Sequence, residues 1–403
     1  MVTISKQEAR DFLIKHQGLG GQPEFNTKSI LDFIKRVGCI QFDPLNIVGN
    51  NPDLVLQARI PKYKPAQLAT LMYKDRSLLD GWDKNMSIYG TEDWPYFQRR
   101  RSAARKNDRI SGGQIEKVFP EVRKALRMRG PLSSLDLKLD DKVNWSWAPA
   151  RLAKAALESM YFRGELTIHH RIHTRRVYDF MENHFPAELL TGSDPNVSDD
   201  QFHDWYVHRR IGSVGLIWNR AGDAWLGMSG IKSPERRTAL ARLLKQGLVR
   251  EIKVAGIKDM FYLRSDDHDR LLSNRDNKTI KSRAVIIAPL DNLLWDRRLV
   301  RTLFDFDYIW EVYKPVKERR FGYYVLPILY RDKFIARFEP GVDKQSKTLI
   351  VKKWWWEPGV KQTARMYADL NLCFKRFLVY LGYDEISIET QAPAATHLDW
   401  LIT

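Results

Sequence analysis

Two cysteines, Cys39 and Cys373, are all that the 403 residues contain. So few thiols, so far apart, exclude a thiolate-only zinc finger and a four-cysteine iron–sulfur cluster, and they suit a reducing, cytoplasmic setting. No run approaches the roughly 18 consecutive apolar residues of a membrane-spanning helix. The opening MVTISKQEARDF has no signal-peptide core and passes straight into a helical pattern. A G-x-x-x-x-G-K-[ST] phosphate loop is missing, which argues against an ATP-driven motor. A G-x-S-x-G nucleophile elbow is missing too; GMSG and IGSVG have the wrong spacing. Low-complexity tracts are absent. His169, His170 and His173 stand among arginines on a predicted hairpin, where water- or phosphate-facing imidazoles are the plain reading, so neither metal nor cofactor is expected.

Negative charge is also scarce. Against 66 Lys and Arg stand 49 Asp and Glu, a net charge of +17. A surplus of that size points to a polyanion. No basic helix with a fully apolar face stands out, so nucleic acid is favoured over a membrane surface. Hydrophobic residues at 44% and charged residues at 29% describe a globular chain, and its length calls for two to four domains. Aromatic residues reach 12%, with 13 tryptophans, enough to supply stacking platforms for bases.

An internal repeat organises the middle of the chain. ALESMYFRGELTIHHRIHTRRVYDF (156–180) aligns without a gap on ALARLLKQGLVREIKVAGIKDMFYL (239–263). Gly164 falls on Gly247 and Tyr178 on Phe261. Each copy predicts a helix, a glycine stop and two short strands, the back half of a winged helix-turn-helix. Front-half helices precede both: GGQIEKVFPEVRKALRMRGPLSSLDL before a helix starting near Trp147, and DDQFHDWYVHRRIGSVGLIWNR before one capped at Ser233-Pro234. The N-terminal SKQEARDFLIKHQG and TKSILDFIKRVG fit the same plan. CIQFDPLNIVGNNPDLVLQARI then reads as two short strands or a strand and turn, followed by a helical KPAQLATLMYKDRSLLDGW. Past a linker at 273–283, β-rich runs such as GYYVLPILY and TLIVKKWWWEP flank one long helix, QTARMYADLNLCFKRFLVYLG. The expected fold is α+β, with tandem winged-helix units around a C-terminal β-barrel-like domain. Its boundaries are 1–110, 111–195, 196–272 and 273–403.

Basic residues interleave with aromatics in two places. One is the wing RIHTRRVYDF, with Arg171, Arg175, Arg176 and Tyr178. The other is EVYKPVKERRFGYYVLP (311–327), where Tyr313, Lys317, Arg319, Arg320 and Tyr323 suit a hairpin gripping a duplex. Cations neutralise phosphates while rings stack on bases or wedge between them. QRRRSAARK (98–106) has the charge without the rings, and a solvated helix face accounts for it equally well. Within GCIQFDPLNIV (38–48), Gln41 and Asp43 stand two apart, so on a strand both would face one way. Asp43 before Pro44 also has the form of a helix N-cap. Spacing alone leaves both readings open.

GCIQFDPLNIVGNNPDLVLQAR, DGWDKNMSIYGTEDWPYF, RRVYDF, LDNLLWDRRLVRTLFDFDYIWEVYKPVKERRFGYYVLPILY and RFEPGVDKQSKTLIVKKWWWEPGV together resemble the bacterial AlkZ/YcaQ-type DNA glycosylases, winged-helix proteins that unhook interstrand crosslinks. The resemblance runs through most of the chain. It implies a Gln-x-Asp catalytic motif, carried here by Gln41 and Asp43, and a duplex surface that includes Arg59, Trp82 and Lys84. Where the family often has a histidine two residues after the tryptophan, this chain has Lys84. A common proline is replaced by Gly90, and an arginine often found near Asn50 is missing.

The implied chemistry is consistent. Alkylation at N7 of guanine makes the base a cationic leaving group, so no strong acid is needed. A carboxylate stabilises charge growing on the deoxyribose and accepts a proton from water that a glutamine carbonyl orients. No lysine occupies the motif, so a monofunctional enzyme leaving an abasic site is expected. The partner is double-stranded DNA carrying alkylated or crosslinked guanine, bound by a monomer. The alternative is a non-enzymatic winged-helix DNA binder such as a transcription regulator.

Overall fold

In the computed structural model the described residues are 2–21, 27–106, 113–146, 148–276, 282–389 and 398–401. Two compact units divide them. The larger comprises residues 1–68, 81–88 and 199–403, and the smaller 69–80 and 89–198.

The larger unit begins with a short strand, Val2–Ile4, and the helix Lys6–His16. Ser5 and Glu8 start that helix as a capping box: the Glu8 N–H donates to Ser5 Oγ at 3.1 Å, and the Ser5 N–H to Glu8 Oε2 at 2.6 Å. The helix Thr27–Val37 buries Ile30, Phe33, Ile34 and Val37, an i, i+3, i+4, i+7 stripe that keeps it on the core. Behind it runs the strand Cys39–Gln41. The next stretch forms the helix Asn51–Gln57, where a second strand or turn was expected. Pro52 lies in that helix's first turn, where a missing N–H costs nothing.

Further along, a helix (Asp199–Val214), a short strand (Ile217–Trp218), a second helix (Ser233–Lys245) and a hairpin (Val249–Val254, Met260–Arg264) follow in order. The short strand pairs with the hairpin's outer strand, and Val2–Ile4 adds in parallel to the other side. The second helix starts one residue earlier than Ser233-Pro234 capping predicts. Lys232 is its N-cap, and the Lys232 N–H donates to Glu235 Oε2 at 2.8 Å.

Toward the C-terminus lies a five-stranded sheet, a curled half-barrel in which, among the described residues, no pair closes its first strand, Ala284–Ile286, on its last, Glu385–Ile388. The helix Ala364–Leu381 covers it, with Phe374 against Phe338 and Trp354 at ring separations of 5.2 and 6.0 Å. Of the linker expected at 273–283, the first residues continue the helix His268–Asp276, and residues 277–281 lie outside the described set.

The smaller unit repeats the order. A helix, Phe119–Arg129, is followed by Leu132, which bridges to Tyr178, then by the helix Leu152–Phe162 and the hairpin Leu166–Ile172 with Arg175–Phe180. Gly164 and Gly247 end their helices with φ +76° and +71°, so the aligned copies stop alike. The second helix begins at Leu152, not near Trp147, because Ala150–Arg151 is committed to a ladder with Lys142–Val143. Trp147 itself is outside the described residues.

Candidate active site

The strand carrying Gln41 runs out at that residue, and one further ladder bond, Phe42 N–H to Met86 O at 2.8 Å, secures the chain before the loop 43–49. No helix follows Pro44, so Asp43 is not a helix cap. Its Oδ1 instead accepts the Leu45 N–H at 2.9 Å, which tightens the loop locally. Asp43 is half-buried, and burial pushes its pKa up, with the Leu45 bond opposing. Gln41 is buried, and its Oε1 has no hydrogen-bond partner among the described residues. A buried carbonyl oxygen left unpaired costs roughly 1–3 kcal/mol, and Asn292 Oδ1 is in the same state among the described residues.

Two residues strap this strand in place. Asn51 donates to Gln41 O at 2.8 Å and accepts the Leu290 N–H at 3.0 Å. Asn292 donates to Cys39 O at 3.0 Å. Between them Asp291 receives both terminal nitrogens of Arg59, at 2.7 and 2.8 Å. Gly49 closes the loop at φ +118°, and a Cβ there would strike the Tyr380 hydroxyl and come within 3.0 Å of its Cζ.

Within electrostatic reach of Asp43 is the segment 311–325, through Tyr313 and Tyr324. It is an irregular loop with a 3-10 turn at Val316–Glu318, not the expected hairpin; regular pairing starts only at Leu326. Glu311 is the reason. Its carboxylate accepts the backbone N–H groups of Arg320 (3.0 Å) and Phe321 (2.9 Å) and the Lys314 ammonium (3.1 Å), drawing the chain around itself instead of into a ladder. Tyr313 is 83% exposed and Val316 78%; Lys317, Arg320 and Tyr323 are exposed beside them. Arg319 is half-buried, its guanidinium 4.9 Å from the Tyr323 ring and its Nε bound to Lys314 O. The charge of Asp43 reaches the phenols of Tyr313 and Tyr324 and raises the pKa of both, after the larger effect of burial.

Several of the residues expected at a duplex surface are buried. Arg59 is 1% exposed and is spent on Asp291, Gln17 O and Val55 O, so it is a structural clamp. Lys84 is 4% exposed, with its ammonium 5.6 Å from the Trp295 ring. Burial, helped by Arg210, pushes its pKa down to about 8. Its neighbour Asp83 is wholly buried; burial alone would raise that carboxyl, but Arg209 and Arg210 outweigh it and hold it at about 2. Trp82 is half-buried in the strand Leu78–Asp83.

In the smaller unit Tyr178 is a core residue, 4% exposed. Arg171 pairs with Asp80 at 2.6 Å and Arg176 with Glu158 at 3.3 Å. Arg175, at the hairpin tip, is exposed. The residues that sequence reasoning missed are Asn51, Asp291, Asn292 and Tyr324. LDN at 290–292 was visible only as part of a resemblance, and in FGYYV nothing in the pattern marks Tyr324 as different from its outward neighbour Tyr323.

The fold is that of a DNA glycosylase. Streptomyces sahachiroi DNA glycosylase AlkZ superposes with a TM-score of 0.64 at 14% identity, covering 96% of this chain and 100% of that one. A family model described as "DNA glycosylase AlkZ-like" matches residues 34–377, and the chain belongs to that family. The match encloses Gln41, Asp43, the straps and the loop 311–325.

Proposed function

We propose that this chain is a monofunctional DNA glycosylase that hydrolyses the N-glycosidic bond of N7-alkylguanine, including guanines joined in interstrand crosslinks. One observation carries the reading: a half-buried Asp43 that caps no helix, two residues from a buried Gln41 whose Oε1 has no partner among the described residues. Folding leaves such groups unpaired where a ligand supplies the missing bonds. Asp43, ionised, stabilises the developing sugar cation and takes the proton from water; Gln41 orients that water.

The substrate is double-stranded DNA, and the chain works as a monomer. The helix–strand–helix–hairpin repeats are winged-helix units, with boundaries at 1–110, 111–195 and 196–272, followed by the half-barrel of 273–403. Tyr313, Lys317, Arg320 and Tyr323 on the loop and Arg175 on the smaller unit's hairpin contact the duplex. A crosslinked base cannot swing fully into a closed pocket, and a site flanked by an exposed loop suits it.

The test incubates wild type, Asp43→Ala and Gln41→Ala with a duplex carrying one defined crosslink, scored for unhooking and alkali-sensitive sites. Wild type releases base and both variants are impaired. No release by wild type from crosslinked or singly alkylated DNA leaves the regulator reading in its place.

A further inference from the structure

The smaller unit holds an open cleft of about 370 Å³, lined by Arg105, Phe119, Arg123, Arg163 and Glu165. Three elements meet there: the end of the helix Gln98–Lys106, the start of the helix Phe119–Arg129, and the turn after the helix Leu152–Phe162. Phe119 gathers the charges. The guanidinium of Arg163 lies 4.9 Å from its ring and that of Arg123 5.7 Å, so two cations are held against one buried aromatic. Each has its own carboxylate: Arg123 Nη2 donates to Glu165 Oε2 at 2.9 Å, and Arg163 pairs with Glu116. Arg105 has none. Its Nε donates to Arg163 O at 3.1 Å, and among the described residues no carboxylate pairs with its exposed guanidinium. One turn earlier Arg101 is buried, its guanidinium 3.8 Å from the Trp94 ring and bonded to Trp94 O, again with no ion pair among the described residues. Burial, with Arg105 adding to it, pushes the pKa of Arg101 down to about 10.

We infer that this cleft is a phosphate site and takes one phosphodiester of a DNA strand, with Arg105 as its principal ligand. Both carboxylates at the cleft are spent on Arg123 and Arg163, so the anion that neutralises Arg105 has to come from outside. The two terminal nitrogens of Arg105 form a fork that matches a pair of phosphate oxygens. Arg123 adds a donor to the lining, because it holds Glu165 through Nε and Nη2 and leaves Nη1 without a bond among the described residues. Phe119 is buried beneath its two guanidiniums, so it offers no open face on which a base could stack. The lining therefore suits the backbone of a strand and not a nucleotide's base. The net charge of +17 favours a polyanion over a free ester in the same way. Such a contact holds the smaller unit to DNA without reading sequence. The inference rests on the DNA-binding part of the proposed function and not on base release.

Fluorescence anisotropy with an undamaged duplex tests it, comparing wild type with Arg105→Gln and, as a control, Lys124→Gln. Lys124 is exposed on the helix Phe119–Arg129 and lines no part of the cleft, so its loss removes the same charge from the same unit. Arg105→Gln is expected to weaken binding about 5- to 10-fold at about 0.1 M salt, and to lower the slope of log affinity against log salt by roughly 0.9, the value of one phosphate. Lys124→Gln should change both much less. Equal losses in the two variants, or none in either, overturn the inference. If Arg105→Gln leaves duplex binding intact while thymidine 5′-phosphate raises the Tm of wild type and not of the variant, the cleft holds a small phosphate ester and the DNA assignment falls. Should Arg105→Gln fail to fold, Arg105→Lys keeps the charge and loses the fork; binding about 2- to 5-fold weaker supports the inference, and unchanged affinity overturns it. Excision of N7-methylguanine by wild type is scored in parallel. Its absence ends the glycosylase reading and leaves the comparison on undamaged DNA standing.

Discussion

Asp43→Asn is the substitution whose outcome follows most directly from the structure. Asparagine is nearly isosteric, and its carbonyl oxygen still accepts the Leu45 N–H that shapes the loop. What it removes is a charge that burial has made costly, as the raised pKa of Asp43 records. A carboxyl whose folded pKa lies above its unfolded value of 3.8 binds more protons when folded, so stability falls as pH rises through that interval. Above the interval the variant is relieved of the penalty, and below it the two proteins are equal. Asp43→Asn should therefore be at least as stable as wild type at pH 7, by up to about 1 kcal/mol given the residue's partial exposure.

Base release should move the opposite way. Loss of a general base and its charge slows the step about 10²- to 10⁴-fold, or about 2.7–5.4 kcal/mol in the barrier. In wild type the same ionisation gives the rate profile an acid limb, rising through a pKa above the usual aspartate range. Single-turnover excision across pH 4–8, paired with urea unfolding at pH 7, measures both. A variant that is destabilised yet still active would refute the assignment, because the charge would then serve folding and not chemistry.

Three further outcomes follow. Lys84→Met should raise Tm at pH 7, because an amine whose pKa falls from 10.5 to about 8 on folding costs stability at neutral pH. The gain, about 1–3 kcal/mol at most, should shrink as pH climbs from 8 to 10.5, where wild type itself sheds the proton in both states. Gly49→Ala forces φ +118° on a residue that resists it and drives a methyl group onto the Tyr380 hydroxyl; a loss of about 1–3 kcal/mol in urea unfolding is expected, with slower excision, since the same loop holds Asp43. Lys317→Ala with Arg320→Ala should reduce the slope of log affinity against log salt by roughly 0.9 for each phosphate that is no longer neutralised, measured by fluorescence anisotropy with undamaged duplex.

Much of the architecture was legible because it is local. The helix Thr27–Val37 announces itself by its apolar stripe, and the two glycine-stopped helices at 152–162 and 233–245 by an alignment without gaps. The chemical reading of Gln41 and Asp43 came only through resemblance; their spacing served a helix cap equally well, and the absence of a helix after Pro44 removes the cap reading, while Asp43 falls just past the end of the strand. What stayed hidden depends on distant partners. Arg59 looks like a surface cation until Asp291, 232 positions away, is found against it. The loop at 311–325 carries the alternation of a hairpin, but one carboxylate, Glu311, captures two backbone N–H groups that a ladder would have used. Periodicity reports which face a residue prefers, not which charge will claim its backbone.

The placement of the motif at the end of a strand has a physical logic. Inside a ladder the backbone of Gln41 and Asp43 would be held, but neighbouring strands would crowd their side chains; in a free loop the side chains would be open and poorly held. Here the strand is fixed from outside, by Asn51 on Gln41 O and Asn292 on Cys39 O, so its side chains stay clear of the bonds that position them. The Arg59–Asp291 pair then anchors the strap that carries Asn292 and meets Asn51. Breaking a buried pair by removing one partner costs about 3–5 kcal/mol. Arg59, clamped in the interior, thus holds the strap that carries Asn292, and through it the strand end where the Gln41 side chain and the half-desolvated Asp43 carboxylate sit.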